Sequence, residues 1–97
     1  MTRLFYSRQA QSDLQRLTSF LAETDPKAAL LTIDLIEEAV NILQHHPWIG
    51  RRVDEHLREL IISRGHTGYV ALYSHEEALD ACWILAICHQ REAGYTT

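Results

Sequence analysis

Basic side chains recur in three places in the second half of the chain, close to residues that can transfer protons. Arginine binds phosphate through a fixed fork of N–H donors, and a nearby His or Tyr can move a proton. If these groups converge, with Tyr95 beside them, they could bind RNA phosphates and promote phosphodiester cleavage. The candidate target-binding residues are Arg51, Arg52, Arg58, Arg64, His89 and Arg91.

A structural use of the same cations is also open. Arg58 and Arg64 lie close in sequence to Glu55 and Glu59, and surface ion pairs of this kind are common. The chain has 9 Lys and Arg against 13 Asp and Glu, a net charge of −4. Its surface as a whole therefore does not attract nucleic acid, and any polyanion contact must come from a local patch.

Other kinds of catalytic or metal site lack support. His45 and His46 are adjacent and cannot face one way on a helix, and Cys82 and Cys88 read as reduced core residues. We expect no metal and no cofactor, since the chain also lacks a glycine-rich phosphate loop and a serine-hydrolase elbow. Two carboxylate pairs are most simply solvated charges: Glu37 with Glu38, and Glu76 with Glu77.

Length and hydropathy predict one small domain spanning residues 1–97. The longest apolar run, Ala81 to Cys88, has eight residues, whereas a membrane span needs about 18 to 20. Polar residues interrupt the N-terminus before a signal-peptide stretch can form. We therefore expect a cytoplasmic protein without a membrane partner.

Two helices are predicted in the first half. Ser7 is a plausible N-cap, and apolar residues then recur at helical spacing from Ala10 to Leu21. Asp25 followed by Pro26 is typical of a second N-cap and first helical position, and this helix should run until Pro47. The short link between the helices predicts an antiparallel hairpin.

The second helix has two apolar stripes, more than one contact surface needs. The first stripe should cover a sheet, and the second must meet the first helix or another chain. Ala29, Ile33, Ile36, Val40 and Leu43 form the first stripe, and Leu31, Leu35, Ala39 and Ile42 form the second.

Four strands complete the predicted fold, and residues 48–54 are placed in a loop. Trp83 lies inside the only fully apolar strand, so we expect it in the core. The element order predicts an α+β fold, β-α-α-β-β-β, with the helical hairpin packed on an antiparallel sheet. The predicted strands are Leu4 to Tyr6, Leu57 to Ser63, Tyr69 to Tyr73, and Asp80 to His89.

Nearly the whole chain resembles the ParE branch of the RelE/ParE toxin superfamily. The order and spacing of several short motifs carry the resemblance. They are A-x-x-D-L-x-x-L at 10–17, P-x-x-G-R at 47–51, L-R-E-L at 57–60, G-Y-x-x-x-Y at 68–73, and His89-Gln90-Arg91. The resemblance implies a toxin of a two-gene module, held inactive in a hetero-oligomer with a cognate, ParD-like antitoxin.

The superfamily has two kinds of target. ParE-like members act on DNA gyrase, and RelE-like members cleave messenger RNA in the ribosome with basic side chains on the last three strands. In this chain Leu60 and Val70 stand at two of those positions, and neither can hold a phosphate. We therefore expect gyrase inhibition by binding, without bond-breaking chemistry or direct nucleic-acid binding; the alternative is a metal-independent endoribonuclease that would use Arg58, His89, Arg91 and Tyr95.

The antitoxin surface is expected on the second helix. The apolar stripe of the first helix is too narrow to cover both apolar stripes of the second. Exposed apolar surface on a monomer usually marks a partner site. The predicted antitoxin-binding residues are Leu31, Leu35 and Ile42. The first strand or a second copy of the chain could cover them instead.

Overall fold

The fold is taken from a computed structural model, which describes residues 1–64 and 67–90, with the backbone alone at 63, 64 and 67. Two helices pack on one face of a five-stranded sheet, which confirms the predicted α+β fold with a helical hairpin. The elements are β1 (Arg3–Tyr6), α1 (Arg8–Thr24), α2 (Pro26–Asn41), β2 (Arg51–Arg52), β3 (Leu57–Arg64), β4 (Thr67–Glu76) and β5 (Ala81–His89), with short 3₁₀ turns at Ile42–Gln44 and Glu77–Leu79.

Both helices begin where the capping residues predict. The Ser7 hydroxyl accepts a hydrogen bond from the Ala10 amide at 3.0 Å, and the Asp25 carboxylate accepts one from the Ala28 amide at 3.2 Å. Each bond satisfies an amide that has no partner in the first helical turn. No helix in the described part of the chain is long and apolar enough to cross a membrane.

The sheet is mixed, and the expectation of antiparallel pairing throughout is wrong for β1. The strand order is β1-β5-β4-β3-β2, and β1 pairs with β5 in parallel. The Thr2 amide donates to the Gln44 carbonyl at 2.9 Å, so the chain leaves the helices beside the start of β1, not its end. Strand β3 begins from that side, and two antiparallel pairings then give β5 the direction of β1.

Two further details differ from the predicted elements. Residues expected in the loop at 48–54 include the two-residue strand β2, which pairs with β3 opposite Glu59 and Arg58. Strand β4 extends to Glu76, beyond the predicted end at Tyr73, because it pairs with β5 as far as Ala81.

The core lies between the helices and the sheet. The first predicted stripe is confirmed at Ala29, Ile36 and Val40 of α2 and at Leu43 of the 3₁₀ turn that follows, which are all buried. Its fifth member, Ile33, is only partly buried. Three members of the stripe, Ile36, Val40 and Leu43, pack with residues on the helix-facing side of the sheet: Leu60, Ile62, Tyr73, Cys82, Ile84 and Ile87.

Trp83 is not a core residue, contrary to the sequence prediction. It is 39% exposed, while its neighbours Cys82 and Ile84 are fully buried. Side chains alternate across a strand, and the described helices cover only one face of β5, so Trp83 points to the other face. There it stacks on Phe5 of β1, with ring centroids 4.7 Å apart.

A bulge in β5 is held by the first helix. The pairing with β4 shifts so that Leu72 faces Ala86 and Tyr73 faces Ile84, which leaves Leu85 as an extra residue. The buried carboxylate of Asp13 accepts a hydrogen bond from the Ile87 amide at 2.9 Å. The Ser7 hydroxyl donates to the Leu85 carbonyl at 2.9 Å, so α1 satisfies backbone groups beside the bulge.

Candidate functional site

The linker from α2 to β2 is fixed to the sheet by one buried tyrosine. The Tyr73 hydroxyl donates to the Pro47 carbonyl at 2.8 Å and accepts from the Gly50 amide at 2.9 Å. A Cβ atom at Gly50 would lie 2.5 Å from the Tyr73 ring and 2.9 Å from the Glu59 carbonyl oxygen. Only glycine fits this approach, which gives a physical reason for the glycine of P-x-x-G-R.

Arg58 reinforces the same linker. It lies opposite Tyr73 in the β3–β4 pairing. Its Nη1 atom donates to the carbonyl oxygens of Trp48 at 3.0 Å and Gly50 at 2.9 Å. Arg58 therefore positions the chain that carries Arg51 and Arg52.

Strand β2 presents two exposed arginines. The Arg51 side chain is 67% exposed and forms an ion pair with Glu59. Arg52 lies near Asp54, whose pKa is held below its usual value, mainly by hydrogen bonds from the backbone amides of His56 and Leu57. Arg51, Arg52 and Arg58 thus form one basic group at the β2–β3 corner.

His89 is distant from this group. It pairs with Tyr69, which pairs with Ile62, so it lies four residues along β3 from Arg58 and two strands across. These steps correspond to roughly 13 Å and 10 Å. Its imidazole meets the Tyr69 ring edge-on, with centroids 5.2 Å apart. The structure does not bring Arg58 and His89 together.

The remaining predicted groups stay predictions. The side chain of Arg64 and all of Arg91 and Tyr95 lie outside the described residues. Within the described ranges, no group of three or more His, Cys, Asp or Glu residues is arranged to hold a metal ion.

The predicted antitoxin-binding residues differ in exposure. Leu31 of α2 is 46% exposed and Ile42, the residue directly after α2, is 45% exposed; we call this surface the flank of α2. Leu35 is partly buried and packs against the core. Leu31 and Ile42 are thus available to a partner, whereas Leu35 also supports the fold.

The outer side of the helical hairpin carries apolar surface that the sequence analysis did not single out. A groove of about 400 Å³ is lined by Ala22 of α1 and by Leu30 and Ile33 of α2. Leu30 is 65% exposed, and Phe20 of α1 is 74% exposed. The sequence did indicate this surface, because Leu30 and Phe20 are large apolar residues that fall outside the predicted apolar stripes of their helices.

A sequence profile of the ParE toxin of type II toxin-antitoxin systems, parDE, matches residues 4–94. The chain belongs to this family. Membership of a type II toxin-antitoxin family supports a cognate antitoxin as the partner of this chain, as the resemblance implied.

Relatives and a solved structure agree with this assignment. Toxin RelE3 of Caulobacter vibrioides is 40% identical over 87% of this chain and 89% of its own length. Toxin RelE1 of the same organism is 39% identical over 69% of this chain and 72% of its own length. A structure of the chromosomal ParDE TA system from P. aeruginosa matches with a TM-score of 0.74 and 25% identity, covering 92% of this chain and 96% of that one.

Proposed function

We propose that this ParE-family toxin inhibits DNA gyrase by binding it, in the cytoplasm, without cleaving a bond itself. The observation that carries the proposal is the use of Arg58. Its Nη1 atom holds the carbonyls of Trp48 and Gly50, so the residue that would anchor a phosphate fixes the linker instead. The distance from Arg58 to His89 also disfavours a shared catalytic site among the described residues.

The exposed cations of β2 are the proposed contribution to target binding. Arg51 and Arg52 project from a strand that Tyr73 and Arg58 hold in place. The fixed backbone loses little further conformational entropy on binding, and the planar guanidinium group is pre-organised for hydrogen bonds, which together favour an interface role. Arg64 and His89 would extend this contact only if the target reaches the far end of β3. Arg91, outside the described residues, stays a predicted contact.

Ribosome-dependent cleavage of messenger RNA is the second candidate. The observation that favours it is the name RelE carried by both curated relatives. In that case His89, with Arg58, Arg91 and Tyr95, would perform proton transfer and charge stabilisation.

Induction of the toxin in a bacterium separates the two candidates. We expect filamentation and a DNA-damage response with both the parent and the His89→Ala variant. Translational arrest with codon-positioned mRNA cleavage within minutes, abolished in His89→Ala while that variant stays folded, would overturn the proposal.

The antitoxin is proposed to cover the exposed apolar residues of α2. Leu31 lies in α2 and Ile42 directly follows its last residue, and both are close to half exposed. An amphipathic segment that packs its apolar side on this flank would bury both.

A further inference from the structure

A charged cleft opens at the end of the sheet where β1 and β3 begin. Its volume is about 670 Å³, and we call it the Trp48 cleft because the indole of Trp48 forms part of its wall, with His75 beside it. Four carboxylates and two guanidinium groups line it: Asp54, Glu55, Glu76, Glu77, Arg52 and Arg58.

Both cations of the cleft lie close to acceptor groups of the chain itself. Arg58 donates to the Trp48 and Gly50 carbonyls, and Arg52 lies near Asp54. Glu76 and Glu77, by contrast, form no ion pair with any side chain that the structure describes. The cleft therefore has unbalanced negative charge on the β4 side.

Trp48 adds an apolar surface to this charge. Its indole meets the His75 ring at a right angle, with centroids 5.1 Å apart, and the residue remains 56% exposed. A guanidinium or ammonium group close to an indole face gains a cation–π attraction of about 0.5 to 1 kcal/mol at exposed sites. An indole beside unpaired carboxylates thus suits an arginine or lysine side chain.

We propose that the Trp48 cleft binds a basic segment of a partner protein, with one cation on the Trp48 indole and others paired to Glu76 and Glu77. Nucleic acid and anionic lipid do not fit, because the carboxylates repel them. A second copy of this chain is a poor occupant, because each copy carries a net charge of −4 and the two would repel each other. The inference does not depend on which target the toxin inhibits.

The test is calorimetric titration of the full-length free toxin with a synthetic peptide of alternating glycine and arginine. The same peptide with citrulline in place of arginine is the neutral probe. We expect saturable binding of the arginine peptide, weakening as salt is raised, and at least fivefold weaker binding of the citrulline peptide. Equal binding of both peptides, or no saturable binding, would overturn the proposal.

Matched charge variants locate the site. Glu76→Gln with Glu77→Gln should weaken arginine-peptide binding about three- to tenfold, the sum of two exposed ion pairs. Glu37→Gln with Glu38→Gln makes the same change in net charge on α2 and should weaken it less than twofold. Equal loss in both double variants would mean that overall charge alone attracts the peptide, contrary to the proposal.

Two tryptophan variants test the role of the Trp48 indole. Trp48→Ala should weaken binding about two- to fivefold, whereas Trp83→Ala, on the open sheet face, should leave it unchanged. Circular dichroism and melting of each variant check that it is folded. Sedimentation showing that the free toxin dimerises, with the dimer lost on Glu76→Gln and Glu77→Gln, would assign the cleft to a second copy and refute the basic-partner proposal.

Discussion

Single side chains at the β2–β3 corner set the position of the exposed cations. Tyr73 and Arg58 together engage four backbone groups between Pro47 and Gly50. Burial raises the pKa of the Tyr73 hydroxyl, so at neutral pH it remains protonated and keeps its donated hydrogen bond. These contacts keep the linker against the sheet without a covalent crosslink.

Substitutions at two residues of β5 test which face of the sheet contacts the core. Ile84→Ala removes a fully buried side chain and should lower the free energy of unfolding by about 3 to 5 kcal/mol. Trp83→Ala removes a larger side chain on the open face and should cost only about 1 to 2.5 kcal/mol. Urea denaturation of both variants measures the two losses of free energy of unfolding, and a larger loss for Trp83→Ala would contradict the structure.

Cys82 should make stability depend on alkaline pH. Burial, with a smaller contribution from Asp80, raises the pKa of its thiol from 9.0 to about 11. The folded state then holds a proton that the unfolded chain releases, so stability is full below pH 9 and falls as the pH rises toward 11. Between pH 9 and 11 we expect the free energy of unfolding of the parent to fall by up to about 2 kcal/mol more than that of Cys82→Ala. Chemical denaturation at each pH measures both, and equal losses in the two proteins would refute this.

At the scale of elements, the helical hairpin has two roles. Its inner side supplies core residues and the Asp13 carboxylate, and its flank and outer side leave large apolar residues exposed. The caps and stripes that define the hairpin are local, so the sequence predicted them. The parallel β1–β5 pairing and the bulge in β5 depend on where the chain re-enters the sheet, which no local pattern specifies.

The contact between α1 and the β5 bulge should be sensitive to the Asp13 acceptor. Asp13→Ala leaves the buried Ile87 amide without a partner and should cost about 2 to 4 kcal/mol. Asp13→Asn keeps an acceptor oxygen and should recover at least half of that loss. Thermal unfolding of the two variants tests this, and equal losses would show that the hydrogen bond is not the cause.

The flank of α2 should decide antitoxin binding. Leu31→Asp places a charge where an apolar partner would pack and should weaken antitoxin affinity about tenfold or more, with the melting temperature nearly unchanged. Gln15→Asp adds the same charge on exposed α1 and is the control. Leu35→Asp should also reduce stability, because Leu35 packs on the core.

Calorimetry with the purified antitoxin checks these expectations. Unchanged affinity of the Leu31→Asp toxin would exclude this flank from the interface. A concentration-dependent dimer of the parent that Leu31→Asp dissociates would instead assign the flank to a second copy.

At the scale of the whole molecule, the sequence predicted the family, the hairpin and the layer order, and it also identified the residues of the basic corner. It could not predict what those residues contact. That Arg58 holds carbonyls, that Gly50 lies against Tyr73, and that β2 forms at all depend on the path of the linker over the sheet. The same limit explains why Trp83 was wrongly predicted to be a core residue. A continuous apolar strand does not reveal that the described helices cover only one of its faces.

Inhibition of gyrase by direct binding is the central claim, and a purified system tests it most directly. Gyrase, relaxed plasmid and ATP are incubated with the free toxin, with antitoxin added in a parallel reaction. We expect loss of supercoiling and accumulation of cleaved gyrase–DNA complex, reversed by antitoxin and weakened by Arg51→Ala with Arg52→Ala. Unimpaired supercoiling at saturating toxin, together with mRNA cleavage when the same toxin is added to translating ribosomes, would contradict the claim.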